Sequence, residues 1–143
     1  MIEVVNRQRR RRINSEQWRA FAEEALRAIG AKKHNATIVF LSDRAIRELN
    51  RRFRGEHYAT DVLSFPSLPE PFEKENQSQL GEVVISVQRA TAQAQSNRLS
   101  FDNEVKQLIL HGLLHLCGYD HETDNGEMNR LELRLRKRLG IWA

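Results

Sequence analysis

The chain has 143 residues, 40% hydrophobic and 29% charged, with one cysteine and a formal net charge of +4. That composition suits one folded domain over residues 1–143, long enough to bury a core without covalent staples. Cys117 alone excludes an intrachain disulfide framework, and no apolar run approaches the ~18 residues of a membrane span. The N-terminus meets arginines by Arg7 without an apolar stretch, so no signal peptide is expected. We therefore expect a cytoplasmic protein, and the basicity gives a weak prior for a polyanionic partner such as RNA.

Residues Ile2 to Asn6 form a β-branched apolar run that predicts a first strand. Arg7 and Arg9 to Arg12 make a dense positive patch, readable as a solvated turn or as a contact with RNA phosphates. Ser15 is expected to cap a helix with Trp18, Phe21, Ala22, Ala25, Leu26 and Ile29 on one stripe, closed by Gly30. Ala36 to Leu41 predicts a second strand. Ser42 or Asp43 then caps a short helix with Ile46, Leu49 and Phe53 inward. Its other face carries Arg44, Arg47, Arg51 and Arg52, with Arg54 just beyond and Gly55 at the end.

Val62 to Phe65 predicts a third strand, stopped by Pro66, and residues 67–79 read as a long exposed loop. Gly81 opens a fourth strand, Glu82 to Ser86, followed by a helix with Val87, Ala90, Thr91 and Ala94 on its buried stripe. Ser100 caps a helix from Phe101 to Leu116, apolar around most of its circumference and hence expected to be central. Asp124 and Glu127 form an expected capping box for a last helix. Met128, Leu131, Leu135 and Leu139 face inward from it, and Arg130, Arg134, Arg136, Lys137 and Arg138 face solvent. The expected fold class is α/β (α+β): a small mixed four-stranded sheet with helices packed on it and a central histidine-bearing helix.

Residues 111–121 read His-Gly-Leu-Leu-His-Leu-Cys-Gly-Tyr-Asp-His and hold three of the five histidines. His111 and His115, four apart, project from one helix face. Gly118 permits a left-handed turn, after which His121 can return to the same point. A catalytic zinc takes three protein ligands and a fourth position for water or substrate, so one Zn2+ on His111, His115 and His121 is expected. Packed without a metal, each imidazole would need its own hydrogen-bond partner. The spacing matches the zinc site of metzincin peptidases, His-Glu-x-x-His-x-x-Gly-x-x-His, but Gly112 stands where they carry the general-base glutamate.

The same eleven residues resemble the signature of the YbeY family of bacterial endoribonucleases and ribosomal RNA maturation factors. Leu49-Asn50-Arg51-Arg52-Phe53-Arg54-Gly55, followed by Thr60-Asp61-Val62-Leu63-Ser64-Phe65-Pro66, resembles a second characteristic segment of that family. Leu80-Gly81-Glu82-Val83-Val84-Ile85-Ser86 resembles a third, so the resemblance spans nearly the whole chain. Ala59 and Glu56 depart from the proline and aspartate frequent at those positions.

The resemblance implies zinc on His111, His115 and His121, a functional Arg54 and hydrolysis of single-stranded RNA. It further implies 16S ribosomal RNA 3′ end maturation and ribosome quality control, with the ribosome and its assembly proteins as partners. Arg54 would then hold the scissile phosphate. Asp61, Asp120 and Glu82 are candidates for the general base, and Asp120 could instead complete the metal shell. Two rivals stay open: an RNA-binding assembly factor with a structural metal, and an unusual zinc peptidase. His34 and His57 read as surface residues, and Cys117 as facing the core.

Overall fold

β-branched runs alternate with amphipathic helices along this chain, a pattern that lays strands in parallel with helices crossing between them. The computed structural model describes residues 1–55, 61–67, 79–120 and 123–141. In chain order the elements are β1 (Ile2–Asn6), α1 (Ser15–Ile29), β2 (Asn35–Leu41), α2 (Asp43–Arg54), β3 (Val62–Pro66), β4 (Gln79–Ser86), α3 (Val87–Asn97), α4 (Phe101–Leu116) and α5 (Glu127–Arg138). The sheet order is β1-β2-β4-β3, with β1, β2 and β4 parallel and β3 antiparallel to β4 at one edge. This is the mixed four-stranded sheet expected from the sequence.

Successive strand residues point to opposite faces, and the two faces bury different partners. Ile38, Phe40, Val83 and Ile85 join Trp18 and Leu26 of α1 and Ile109 and Leu113 of α4 in the main core. Leu41, Leu63 and Val84 meet Ile46 of α2 in a smaller core on the other face. Nine residues of α4 are buried, and the helix touches α1, α3, α5, β3 and β4. The central helix is therefore the one that carries the histidines. Ser100 caps it, its side chain accepting from the Asn103 N–H at 3.1 Å.

Four local expectations are corrected. Asn14, not Ser15, caps α1, its side chain accepting from the Gln17 N–H; both residue types cap well, so periodicity leaves a one-residue ambiguity. At α5 the Asp124 carboxylate accepts from the N–H groups of Gly126 and Met128, while Glu127 reaches Asn125, so no reciprocal box forms. β4 starts at Gln79, two residues before Gly81, and residues 68–78 of the expected loop lie outside the described residues. Phe53 is 63% exposed rather than inward. Ile46 plugs the small core, Leu49 is half-buried, and the last turn of α2 has passed beyond that core, where Phe53 rests on Phe65 of β3.

One carboxyl is buried in the first turn of α4. Glu104 is 1% exposed, and burial pushes its pKa up, against a lowering hydrogen bond from Asn97. A raised carboxyl pKa favours the fold while the group is protonated, and that contribution is lost as pH rises through the folded value. Glu104→Gln should therefore raise the thermal midpoint at neutral pH, with the gain shrinking towards pH ~4. Thermal unfolding across that range measures it; a constant difference at every pH would contradict the account.

Candidate active site

The last two turns of α4 carry His111 and His115, and they can approach the sheet because Gly112 lies between them and β4. A Cβ on Gly112 would stand 2.6 and 2.9 Å from the two methyls of Val83 and 3.3 Å from Ser64 Oγ. The Ser64 hydroxyl donates to the Gly112 carbonyl at 3.4 Å, tying the helix to edge strand β3. There is thus no room for the glutamate that a metzincin peptidase carries at this position.

The two imidazoles meet with Nε2 atoms 3.1 Å apart and rings nearly perpendicular, at 77°. His111 turns its other nitrogen, Nδ1, to the Glu132 carboxylate on α5, 3.1 and 3.2 Å from its two oxygens. Burial alone would push the Glu132 carboxyl up. The hydrogen bond from His111, with the charges of His111 and Arg136, outweighs it and holds the group below its ordinary value. An ionised carboxylate can only accept, so Nδ1 carries the hydrogen, and it is the neutral tautomer of that form that offers an Nε2 lone pair towards His115.

This pair fits a metal. Two nitrogens each about 2.0–2.1 Å from a tetrahedral ion stand about 3.3 Å apart, close to the separation here. A carboxylate behind a ligating histidine also orients the ring and raises its basicity. The expected left-handed turn forms at Gly118, with φ 98°, and the Tyr119 N–H donates back to the Leu114 carbonyl. His121, the third expected ligand, lies outside the described residues, as does His57. Among the described residues no group of three or more His, Cys, Asp or Glu side chains converges on a metal position.

Arg54, Asp61, Ser64, His111, His115 and Asp120 line one cavity of about 460 Å³. Arg54 is the last helical residue of α2, which Gly55 closes in the left-handed conformation, and it reaches the cavity beside edge strand β3. Two of the three candidate bases, Asp61 and Asp120, are therefore in place. Glu82 is not: it is exposed and alternates with Val83, so it faces the side of the sheet away from α4. Cys117 is half-buried against the main core, where desolvation pushes its thiol pKa up, in keeping with a packing role.

Two site residues escape the sequence reading. Glu132 is 7% exposed, and Arg136, expected on the solvent side, is half-buried with Nη2 3.3 Å from Glu132. The signal for Glu132 was its place: it falls one turn after Met128 and one turn before Leu135, inside the apolar stripe. Arg11 of the N-terminal cluster lies away from this cavity. It stacks 3.8 Å above Phe101, the first residue of α4, roughly 20 Å along the helix axis from His115.

Imidazoles, a guanidinium and carboxylates around one open cavity are the equipment of a hydrolase acting on an anionic ester. Residues 3–140 match the family described as Endoribonuclease YbeY. Proteins of that description are 35% identical to this chain in Geobacter metallireducens, over 98% of this chain and 94% of the relative, and 35% identical in Syntrophus aciditrophicus, over 88% and 79%. A third, from Nautilia profundicola, is 46% identical over 73% of this chain and 71% of its own. The chain belongs to the Endoribonuclease YbeY family. Its fold is similar to the solution structure of a Thermotoga maritima protein, with a TM-score of 0.63 and 26% identity over 97% of this chain and 89% of the other.

Proposed function

We propose that the protein is a single-strand-specific, zinc-dependent endoribonuclease that processes ribosomal RNA, including the 3′ end of the 16S species, and serves ribosome quality control. Family membership supports the endoribonuclease class. The observation that carries the mechanism is that Arg54 lines the same cavity as the His111–His115 pair, more than fifty residues later in the chain. His111, His115 and His121 would hold the zinc. When bound, it lowers the pKa of a water to about 7 and polarises a phosphoryl oxygen.

The chain's own residues do the rest. Arg54 binds the scissile phosphate and balances charge growing on its oxygens, with a planar donor fork suited to that task. Glu132 holds His111 with Nδ1 protonated and Nε2 aimed into the cavity. Asp61 or Asp120 takes the proton from the attacking water, as both line the cavity. On this reading the protein works in the cytoplasm with the ribosome and its assembly proteins. Among the described residues no helix is long and apolar enough to cross a membrane.

Elemental analysis paired with a ribonuclease assay on rigorously repurified protein tests the proposal. Stoichiometric zinc and chelator-sensitive cleavage of single strands would sustain it; cleavage indifferent to metal would not. A folded, RNA-binding protein with tight metal but no cleavage would instead favour an assembly factor with a structural metal. Arg54→Ala should lower cleavage by about 10²-fold with metal content unchanged, because it removes a transition-state donor and no ligand.

A further inference from the structure

Three large hydrophobic residues are exposed among those described. Met1 is at the terminus and Leu133 lies on the outer side of α5. Phe53 is different, because it belongs to the apolar stripe of α2 and is still 63% exposed. Its ring is held in an edge-to-face contact with Phe65, centroids 5.7 Å apart at 71°. The Arg52 guanidinium lies 5.8 Å from its centre, and the next residue in the chain, Arg54, lines the cavity with the imidazoles.

We propose that Phe53 is a stacking platform for an unpaired base of the RNA strand whose scissile phosphate sits at Arg54. This rests on the ribonuclease reading and deepens it, because it assigns the single-strand preference to a residue. An aromatic face beside a run of cations is how proteins hold single strands: the ring takes a base and the guanidiniums follow the phosphates. Here the two cations nearest in the chain are Arg52, over the ring, and Arg54, which lines the cavity, while Arg44, Arg47 and Arg51 lie on the opposite face of α2.

The charge also selects the occupant. Protein–protein interfaces bury a cluster of apolar neighbours around an aromatic anchor, whereas Phe53 is the one exposed large hydrophobic of α2 among the described residues. Phe53 stands between two arginines in sequence, one 5.8 Å from its ring centre and the other lining the cavity, which suits a polyanion with flat apolar groups. A base within a duplex has both faces covered by its neighbours and cannot stack on an outside ring. Phosphates, by contrast, are equally available in both forms. A platform here therefore discriminates by strandedness where the arginines do not.

The test uses the full chain, a labelled oligoadenylate, and the same strand annealed to oligouridylate. Binding is measured in the His115→Ala background and steady-state cleavage in the native one. Phe53→Ala should weaken single-strand binding about tenfold, lower kcat/KM on single strands comparably and leave duplex binding unchanged. Phe53→Trp should restore both, and its fluorescence should be quenched by the single strand and not by the duplex. Thermal unfolding of each variant confirms that the fold is retained.

If wild type cleaves single strands and Phe53→Ala matches it in binding and kcat/KM, the platform is overturned and the ribonuclease reading stands. Equal weakening on single strand and duplex, or no rescue by tryptophan, also overturns it in favour of a packing role or a protein contact. If wild type neither binds nor cleaves either RNA, the ribonuclease reading fails first and the platform with it.

Discussion

On the proposed zinc reading, replacing His115 with alanine is expected to abolish zinc binding and RNA cleavage together while the fold stands. The side chain is half-buried in the cavity wall, and the packing of this part of α4 is done by Leu113, Leu114 and Leu116. Alanine also has the higher helix propensity, by a few tenths of a kcal/mol, so the helix loses nothing intrinsic. What is lost is one of the two nitrogens that stand 3.1 Å apart, and with it the geometry that suits one ion. Circular dichroism, elemental analysis and the ribonuclease assay on the same sample read all three consequences.

Glu132→Gln makes the instructive comparison. An amide can still accept from His111 Nδ1 but lacks the carboxylate's charge, so zinc affinity should fall about 10–100-fold without vanishing. The two variants therefore separate a ligand from the group that orients one. Cleavage that survives both His115→Ala and chelation would show that the chemistry does not run through the imidazole pair.

Much of this was legible in residue order, for reasons that also explain what was not. The strands and the central helix follow from local periodicity, and His111 and His115 meet because a separation of four is one helical turn. Glu132 comes 21 residues after His111, and the packing of α5 on α4 brings them together. No local rule states that packing, although a glutamate inside an apolar stripe was a visible mark of it. Phe53 was misplaced for a related reason: periodicity gives the direction of a side chain but not where the core beneath the helix ends. Glu82 reads in the sequence as one of three candidate bases, whereas the two-residue alternation of β4 already assigns it to the other face from Val83. Arg54 could be placed at the phosphate through the family resemblance, and its convergence with the histidines came with the fold.

Gly112→Ala should destabilise the protein by about 1–3 kcal/mol, although at an ordinary helical position the same change stabilises by ~1 kcal/mol. The usual gain comes from restricting the unfolded chain and applies here too, so the steric cost must exceed it. A Cβ 2.6 Å from one Val83 methyl and 2.9 Å from the other leaves no relaxed arrangement. Val83 is fully buried in the main core, and its branched side chain has little rotamer freedom with which to retreat. The helix must instead move off the sheet. His111 adjoins Gly112 and His115 lies one turn on, so that movement shifts the imidazoles relative to Arg54 and to the Ser64 hydroxyl that anchors the Gly112 carbonyl. Cleavage should accordingly fall by more than the loss of folded protein explains. Adding Val83→Ala opens the space that the new methyl needs, so the double variant should be more stable than the sum of the single effects predicts, a coupling that a double-mutant cycle on denaturant midpoints would measure. A Gly112→Ala protein as stable and as active as wild type would mean that α4 has slack against β4. On the geometry described it has none, and the position that a peptidase gives to its catalytic glutamate is used in this protein to bring the histidine helix against the sheet.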